Sequence, residues 1–462
     1  MPTFQYLPGT TVQVEDQGLQ IARPATGPVI LLLGQTTSTN VLASTNVPYS
    51  IGNSSITTAD QIFRNSDGSV SELCQALYEC QVSGGTNIVL NNILPAGSGA
   101  FTANNDVYGY LSAAYDILIN YPADIVCPVG VQLDDAVTLN YGTYGVNHLT
   151  QSAGTVWNYG YQLANYCYQA TVNNNTTIGV IAVNNAIANP SGVPTLGQIA
   201  TWVNNLTAYT GSSLAPYNGT TATALGVPGN YCFVASSTGQ MPVSYASGDV
   251  LDALGNHVDI GAYISVVAAN VAASNTAAYV LYPQLGWYNS TGAAAYTGLV
   301  SSLPSQSAPT NKVIQGVTLQ QGISEYQANA LCGSRYVTFQ SKPKGVTVAS
   351  AMTGAYNINQ YSRSDYVRLT TVRIVHDAIN YIRQIGDPFI GEPNNGPQRN
   401  ALNTAINTAL TNMQTSGALQ RFDFTVFASP TDQVLGNCNV QLVLVPSFEL
   451  QQIVVTVALA SQ

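Results

Sequence analysis

The sequence predicts a multidomain protein of the α/β class, with mixed α+β character. The chain has 462 residues, more than one ordinary hydrophobic core organises, so we expect two or three domains. Short aliphatic runs typical of strands alternate with segments whose apolar residues recur at helical spacing. The earliest of these runs form a strand–helix–strand unit, which favours parallel pairing of its two strands.

The strand–helix–strand unit follows a segment that we expect to be an extended arm. Residues 1–27 are punctuated by proline and glycine and carry only weak strand signals. The pattern then predicts a buried strand at 29–34, a helix at 71–82 that stops at Gly84-Gly85, and a strand at 87–93.

The middle of the chain continues the alternation of helices and strands. Helices are predicted at 106–120, 156–170, 195–208 and 260–273, and strands at 123–131, 177–183 and 231–235. Two stretches, 209–230 and 283–311, show neither pattern and are predicted to be loops.

The last third has the clearest pattern. Strands are predicted at 335–340, 346–349, 422–427, 441–445 and 453–459, and amphipathic helices at 365–385 and 399–413. The final strand alternates strictly, and it either completes the sheet of its own chain, which is the commoner case, or adds to the edge of a neighbour's sheet.

Charge is scarce and unevenly distributed. Charged residues make up 7% of the chain, against about 25% in a typical soluble domain. Such a surface repels its own copies weakly, which suits self-packing, although a compositional bias of the lineage is an equal explanation. The net charge of −10 argues against general nucleic-acid binding. Ten of the twelve basic residues follow residue 300, so the last third could meet an acidic protein partner.

The cysteines and the N-terminus indicate a protein that folds in a reducing compartment. Seven dispersed cysteines without a CxxC pair predict reduced thiols. The first residues lack the basic and apolar regions of a signal peptide, and the aliphatic run 29–33 is too short to cross a bilayer.

Motifs that would indicate catalysis or metal binding are missing from the sequence or weak. There is no P-loop, GxSxG elbow or HExxH motif. Three histidines, His148, His257 and His376, are far apart in sequence. His376 and Asp377 are adjacent on a predicted helix and point about 100° apart, so we expect a structural role.

Two further motifs are weak. Asp134-Asp135 follows a buried strand and could hold a divalent cation, although a solvated turn is the simpler interpretation. The glycine pattern that starts at Gly316 lacks a phosphate-binding loop. We therefore expect no catalytic residues, no cofactor and no metal.

The order of elements in the last third carries a resemblance. A long helix is followed by Phe389-Ile-Gly-Glu-Pro-Asn-Asn395, a helix from Arg399, a turn at Gly417-Ala-Leu419, and a strand at Phe422-Asp-Phe424. A final strand pair, 440–446 and 453–459, ends the chain. This order resembles the core of contractile phage tail sheath proteins (myovirus-type, related to the sheaths of contractile injection systems).

The N-terminal segment resembles the same family, through Pro8-Gly-Thr-Thr-Val-Gln-Val14, the strand ending at Gly34, and Gly84-Gly85. The resemblance covers 1–105 and 330–462, whereas 106–329 matches only as a generic α/β insertion. The low Lys/Arg content departs from the family, and Tyr336 and Phe339 stand where a Trp often precedes the long helix.

The resemblance implies a sheath-type fold with a conserved core built from 28–105 and 330–448. It also implies one or more inserted middle domains at 106–329, which we expect to face outward, and extended terminal arms at 1–27 and 449–462. The C-terminal core would face an inner tube.

The resemblance further implies a structural subunit, not an enzyme, that polymerises around a tail tube and contracts to drive it through an envelope. Partners would be further copies of the chain, the tube protein, and baseplate and tail terminator or neck proteins, with no nucleic acid and no membrane insertion. The location would be a virion tail assembled in the host cytoplasm.

Two sets of residues follow from this implied mechanism. Strands donated between subunits would contain Val12, Val14, Leu19, Ile21, Ile453, Val455, Val457 and Leu459. Basic candidates for contact with the tube are Lys342, Lys344, Arg363, Arg368 and Arg399.

Two alternatives remain open from the sequence. The first is the sheath of a tailocin, an extracellular contractile injection system or a type VI secretion system. The second is an α/β hydrolase or ligand-binding protein, which an ordered Ser/His/Asp cluster in a closed pocket would favour.

Overall fold

The computed structural model describes residues 27–51, 56–95, 98–99, 104–133, 137–138, 156–157, 159–183, 194–207, 260–269, 271–273, 288–319, 321–355 and 365–450. The strands are β1 (Val29–Gly34), β2 (Tyr49–Ser50), β3 (Asn87–Asn92), β4 (Ile125–Pro128), β5 (Val137–Thr138), β6 (Val156–Trp157), β7 (Ile178–Ala182), β8 (Ile264–Val267), β9 (Val271–Ala273), β10 (Tyr288–Ser290), β11 (Val317–Leu319), β12 (Tyr336–Val337), β13 (Phe339–Lys342), β14 (Gly345–Val348), β15 (Leu419–Phe427) and β16 (Asn439–Pro446). The α-helices are α1 (Ile56–Phe63), α2 (Glu72–Val82), α3 (Asn104–Leu118), α4 (Tyr159–Val172), α5 (Leu196–Thr207), α6 (Ala293–Ser302), α7 (Glu325–Gly333), α8 (Leu369–Gly386), α9 (Gly396–Thr415) and α10 (Pro430–Leu435).

A seven-stranded sheet, in the order β12-β8-β7-β4-β1-β3-β2, organises the larger part of the described chain. Its neighbouring strands are parallel except for β2, which pairs antiparallel with β3. In the first unit Val29 pairs with Asn87 in parallel register. The parallel pairing predicted for the strand–helix–strand unit is therefore confirmed.

The central strands are buried because helices cover both faces of the sheet. β1 reads Val-Ile-Leu-Leu-Leu-Gly, and this nearly continuous aliphatic run is typical of a parallel strand with two covered faces. Leu31 and Leu33 pack in the cluster that includes α3 and α4. Ile30 and Leu32 pack in the opposite cluster, which includes α1, α2 and α6.

The contact between α2 and α6 depends on small residues. Gly298 of α6 lies so close to α2 that a Cβ there would be 2.1 Å from the main-chain oxygen of Cys80. α2 begins with Ser71, whose side chain accepts from the Cys74 N–H. Gly84, with φ of 112°, follows the helix and faces Ser302.

Two sequence predictions in the middle of the chain are wrong. Residues 260–273, predicted to be a helix, form a 3-10 turn followed by β8 and β9. β8 is buried on both faces, so its Val-rich sequence lacks the two-residue alternation that would have revealed a strand. Residues 283–311, predicted to be a loop, contain β10 and α6. Because all but one of the α6 residues are buried, that helix shows no amphipathic pattern.

Smaller differences concern the limits of elements. The helix predicted at 156–170 begins at Tyr159, after the short strand β6. The predicted strands at 231–235 and 453–459, and the arm at 1–26, lie outside the described residues. Strands β4, β7 and β8 of the segment 106–329 join the same sheet as β1 and β3, so this sheet crosses position 105. The outward orientation of 106–329 stays a prediction.

The C-terminal unit consists of α8, α9 and the hairpin β15–α10–β16. Its core contains Ile374 and Ala378 of α8, Ile406 and Leu410 of α9, and Leu444 of β16. The two predicted amphipathic helices and the predicted strands at 422–427 and 441–445 are confirmed here. These two strands pair with each other, whereas the partner predicted for 440–446, at 453–459, lies outside the described residues. Gly417, with φ of 81°, follows α9 in the left-handed conformation that favours glycine after a helix.

Candidate inter-subunit and partner-binding surfaces

The hairpin β15–β16 forms a two-stranded ribbon with one covered face. Phe422 pairs with Leu444 and Phe424 with Leu442, and these apolar side chains pack on the C-terminal core. Arg421, Asp423 and Thr425 alternate with them and are exposed. Because an isolated two-stranded hairpin is marginally stable, the ribbon depends on α9 beneath it.

Among the residues that the structure describes, neither outer edge of the ribbon is paired with a third strand. Within the described part of the chain, β15 and β16 pair only with each other as strands. Each outer edge therefore presents main-chain N–H and C=O groups in the arrangement that an added strand can use.

The turn of the hairpin is a short, well-capped helix. Ser429 and Asp432 form a capping box, and Gly436, with φ of 76°, ends α10. Hydrogen bonds from the Ser429 side chain and main chain hold the pKa of the Asp432 carboxyl below its usual value. The sequence analysis did not predict this helix. The pattern Ser-Pro-Thr-Asp at 429–432 could have indicated it, because this pattern is a capping box with proline at the first helical position.

The basic candidates for tube contact occupy separate places in the fold. Lys342 and Lys344 lie on the β13–β14 hairpin and are exposed. Lys342 donates to the side-chain oxygen of Asn311 at 3.1 Å, and Lys344 donates to the main-chain carbonyl oxygen of Asn311 at 2.7 Å. Arg368 precedes α8, and its guanidinium lies 5.8 Å from the centre of the Phe448 ring. Arg399, on the first turn of α9, donates to the Asn394 side chain at 2.9 Å.

The remaining predicted site residues lie outside the described residues. They are Arg363 and the eight arm positions Val12, Val14, Leu19, Ile21, Ile453, Val455, Val457 and Leu459. Their roles stay predictions.

Helix α8 joins the C-terminal unit to the α/β unit through buried polar contacts. Arg373 donates to the carbonyl oxygen of Leu303 at 2.6 Å, and Asn380 donates to the Thr176 hydroxyl at 2.6 Å. Burial lowers the pKa of the Arg373 guanidinium, and nearby Asp377 counteracts this effect. Sequence analysis treated this helix only as amphipathic and missed these contacts, which join residues far apart in sequence.

The carboxyl ends of β1 and β3 are joined by the protein's own side chains. Thr36 follows β1, and Asn92 is the last residue of β3. There the Thr36 hydroxyl donates to the Phe63 carbonyl at 2.7 Å, and the Thr36 N–H donates to Asn92 at 3.1 Å. Ser38 donates to the Ile62 carbonyl.

The weak chemical motifs have structural surroundings where the structure describes them. His376 is buried and its ring stacks on Tyr263 at 5.8 Å. Gly316, with φ of 75°, lies in the turn before β11. His148, His257 and Asp134-Asp135 lie outside the described residues.

Two searches of the described residues gave negative results. Nowhere in this part of the chain do three or more His, Cys, Asp or Glu side chains come together as a metal site would require. None of the helices within it is both long enough and apolar enough to cross a membrane.

Comparisons with known proteins match this chain by fold and not by sequence. No protein-family model matches the sequence, and no curated protein matches it. Solved structures do match. A chain of the anti-feeding prophage (AFP) baseplate aligns over 99% of this chain and 100% of that one, with a TM-score of 0.58 and 14% identity.

Two sheath proteins align over nearly the same extent. The contracted sheath complex of an extracellular contractile injection system, PVC, covers 99% of this chain and 98% of its own, with a TM-score of 0.54 and 12% identity. A sheath tail protein from Desulfitobacterium hafniense covers 95% of this chain and 100% of its own, with a TM-score of 0.50 and 11% identity. The predicted sheath-type fold is confirmed by these neighbours.

Proposed function

We propose that this chain is the structural subunit of a contractile tail sheath, which polymerises around a tail tube and drives it through a host envelope on contraction. The observation that carries the proposal is the β15–β16 ribbon, whose strands pair only with each other among the described residues and so leave two outer edges for strands from neighbouring subunits. Donated strands would come from the segments around 12–21 and 453–459 of two other copies.

Strand donation suits a polymer that must change shape. Main-chain hydrogen bonds of an added strand tolerate many sequences, while alternate side chains fill pockets. Subunit bodies can then rotate past each other while the arms keep them connected. The energy for contraction would be stored during assembly, so no nucleotide is required.

The basic residues of the C-terminal core would hold the tube by weak, salt-screened contacts. Lys342 and Lys344 are exposed, and Arg368 and Arg399 are half-buried, so all four are accessible to a partner. The tube would then carry an acidic outer surface. Baseplate and tail terminator proteins would cap the polymer at its ends.

The second candidate is the sheath of an extracellular contractile injection system, because the PVC neighbour is such a sheath. A tailocin or type VI sheath would use the same subunit mechanics. A virion tail delivers a genome through its tube, whereas an injection particle carries no genome. Purification of the native particle, followed by a test for DNA in it, would distinguish the two.

The proposal is tested by electron microscopy of the purified full-length chain. We expect the full-length chain to form long helical tubes. We expect a chain that lacks 1–26 or 451–462 to remain as soluble subunits. The circular dichroism spectrum of the shortened chain should match that of the full-length chain, which shows that it is still folded. Tubes that form equally well without both arms would contradict strand donation.

Tube contact is tested separately by co-sedimentation with the tube protein. A five-fold variant should weaken tube binding and leave polymerisation intact. It combines the substitutions K342Q, K344Q, R363Q, R368Q and R399Q. R421Q, on the exposed face of the ribbon, serves as the control. Unchanged binding by the five-fold variant would reject these residues.

A further inference from the structure

The chain that follows α6 runs between the α/β unit and the C-terminal unit. We call this segment, residues 303–310, the connector. At its start, the Arg373 guanidinium of α8 donates to the Leu303 carbonyl oxygen at 2.6 Å. In its middle, the Gln306 side chain donates to the carbonyl oxygen of Ser416, just after α9, at 3.3 Å. The connector therefore contacts both long helices of the C-terminal unit.

The end of the connector binds the chain that follows β16. The Thr310 hydroxyl donates to the Glu449 carboxylate at 3.2 Å and accepts from the Ala351 N–H at 3.1 Å. Because this second bond comes from the main chain, the hydroxyl is fixed to the α/β unit. Two residues before Glu449, the Ser447 N–H donates to the Ala418 carbonyl oxygen at 3.0 Å. The root of the C-terminal arm is thus bound to both units.

The root of the N-terminal arm lies beside the same connector. Gly27, which precedes β1, lines a cavity of about 390 Å³ that Gln306 of the connector also lines. Two residues further on, the Val29 N–H donates to the Asp124 carboxylate at 2.8 Å and so fixes the start of β1. The residues before Gly27 are joined to the folded chain at this cavity.

The two roots are close together although they belong to opposite ends of the sequence. Gln306 and Thr310 are four positions apart. An extended chain rises at most about 3.6 Å per residue, so their Cα atoms lie within roughly 14 Å of each other. One root shares a cavity with Gln306 and the other binds Thr310.

We propose that the connector is a common attachment point for both arms, and that the Thr310–Glu449 bond holds the root of the C-terminal arm there. The proposal rests on the proposed function, because a fixed root matters only if the arms are donated to neighbouring copies. A rigid body that turns about its attachment point leaves that point in place. A subunit body can therefore turn during contraction without stretching either arm.

The bond also protects the ribbon. Tension in the C-terminal arm would otherwise act directly on the end of β16 and break its hydrogen bonds to β15 one after another. With Glu449 bound, the tension passes to the connector first. The Arg368 guanidinium adds a weaker contact, because its distance of 5.8 Å from the centre of the Phe448 ring is near the limit of a cation–π interaction.

Polymerisation tests the bond. T310V removes the hydroxyl at nearly constant shape, and E449A removes the acceptor. Each should raise the protein concentration at half-polymerisation by roughly fivefold, the effect of one lost hydrogen bond. E449Q keeps an acceptor oxygen for Thr310 and should change this concentration less than about twofold. R368Q removes only the weaker contact and should polymerise like the parent.

T353V is the matched control for T310V. The Thr353 hydroxyl also donates one bond, to the Tyr366 carbonyl oxygen, and accepts one, from the Ala355 N–H, but it does not contact a root. T353V should lower the free energy of unfolding and leave the concentration at half-polymerisation unchanged. An equal effect of both substitutions on polymerisation would mean that T310V acts through stability alone, and would overturn the role of the bond.

Single-molecule energy transfer tests the common attachment point in separate full-length subunits. Dyes are attached to G27C and L450C in a background with C232S, C332S and C438S, whose remaining cysteines are buried. The parent should give one narrow population with high transfer. T310V should broaden this population toward lower transfer, whereas T353V should leave it unchanged.

The outcomes separate this proposal from the proposed function. Low or broad transfer in the parent overturns the common attachment point, whether or not the chain polymerises. High transfer, with polymerisation that responds to neither T310V nor E449A, overturns the role of the bond and leaves the sheath function standing. A parent that never polymerises contradicts the sheath function, and the energy transfer then still decides whether the two roots meet at the connector.

Discussion

The guanidinium of Arg383 donates to the main-chain carbonyl oxygen of Asn174 at 2.7 Å and so joins two residues 209 positions apart. This bond fixes α8 to the turn that precedes β7. One helical turn earlier, Asn380 bonds Thr176 in the same turn. The C-terminal unit is therefore anchored to the α/β unit by side chains that reach main-chain and hydroxyl oxygens.

Replacement of Arg383 by alanine should lower the free energy of unfolding by about 2–4 kcal/mol. The substitution removes this hydrogen bond and leaves space at the junction where the buried Arg383 side chain packs. Urea unfolding of subunits that lack the arms, followed by fluorescence, measures the loss. R421A removes an exposed arginine and should change stability by less than about 0.5 kcal/mol. Equal effects of the two substitutions would mean that the junction does not depend on this bond.

Replacement of Gly298 by alanine should separate α2 from α6. The added Cβ would lie 2.1 Å from the Cys80 carbonyl oxygen, and main chain cannot move aside as a flexible side chain does. Overpacking of this kind costs about 1–3 kcal/mol. The matched control is G333A at the end of α7, where a Cβ would meet nothing within 4 Å. Thermal unfolding should show a lower midpoint for G298A than for G333A, and the reverse order would contradict the packing.

The cysteines should react with iodoacetamide in an order set by burial and pKa. Burial raises the pKa of the Cys127 thiol to about 12, so only about one molecule in ten thousand carries the thiolate at pH 8. Cys438 is exposed, and although partial burial raises its pKa, Arg399 counteracts this effect.

Peptide mapping by mass spectrometry at pH 8 should therefore find Cys438 alkylated long before Cys127, and denaturation should remove the difference. A higher pH should speed the Cys438 reaction, since the thiolate is the reacting form. Comparable rates at both cysteines in the native protein would contradict the buried position of Cys127.

The sequence predicts elements well where each has one exposed face. The helices at α8 and α9 and the strands β15 and β16 alternate between apolar and polar positions, so their periodicity is visible. β8 and α6 are buried all round, and a run such as Ile264–Val267 carries no period that distinguishes a strand from a helix. Tertiary burial, rather than local propensity, decides these two elements.

Site prediction follows the same division. The alternation of the strands at 422–427 and 441–445 predicted the ribbon, which is present, whereas the donation of the strand 453–459 stays a prediction. The helix α10 and the bonds of Arg373 and Arg383 were not predicted. The two arginine bonds require knowledge of which distant segment lies opposite. A capping box is local and was detectable in principle at Ser429, whereas the partner carbonyl of Leu303 was not.

The position of the ribbon near the C-terminus has a consequence for synthesis. The sheet completes only when Tyr336 and Val337 of β12 leave the ribosome, and the ribbon emerges more than eighty residues later. On a nascent chain, the seven-stranded sheet can therefore form before the ribbon exists, so the α/β unit is available as a folded support when α8 and the ribbon are synthesised.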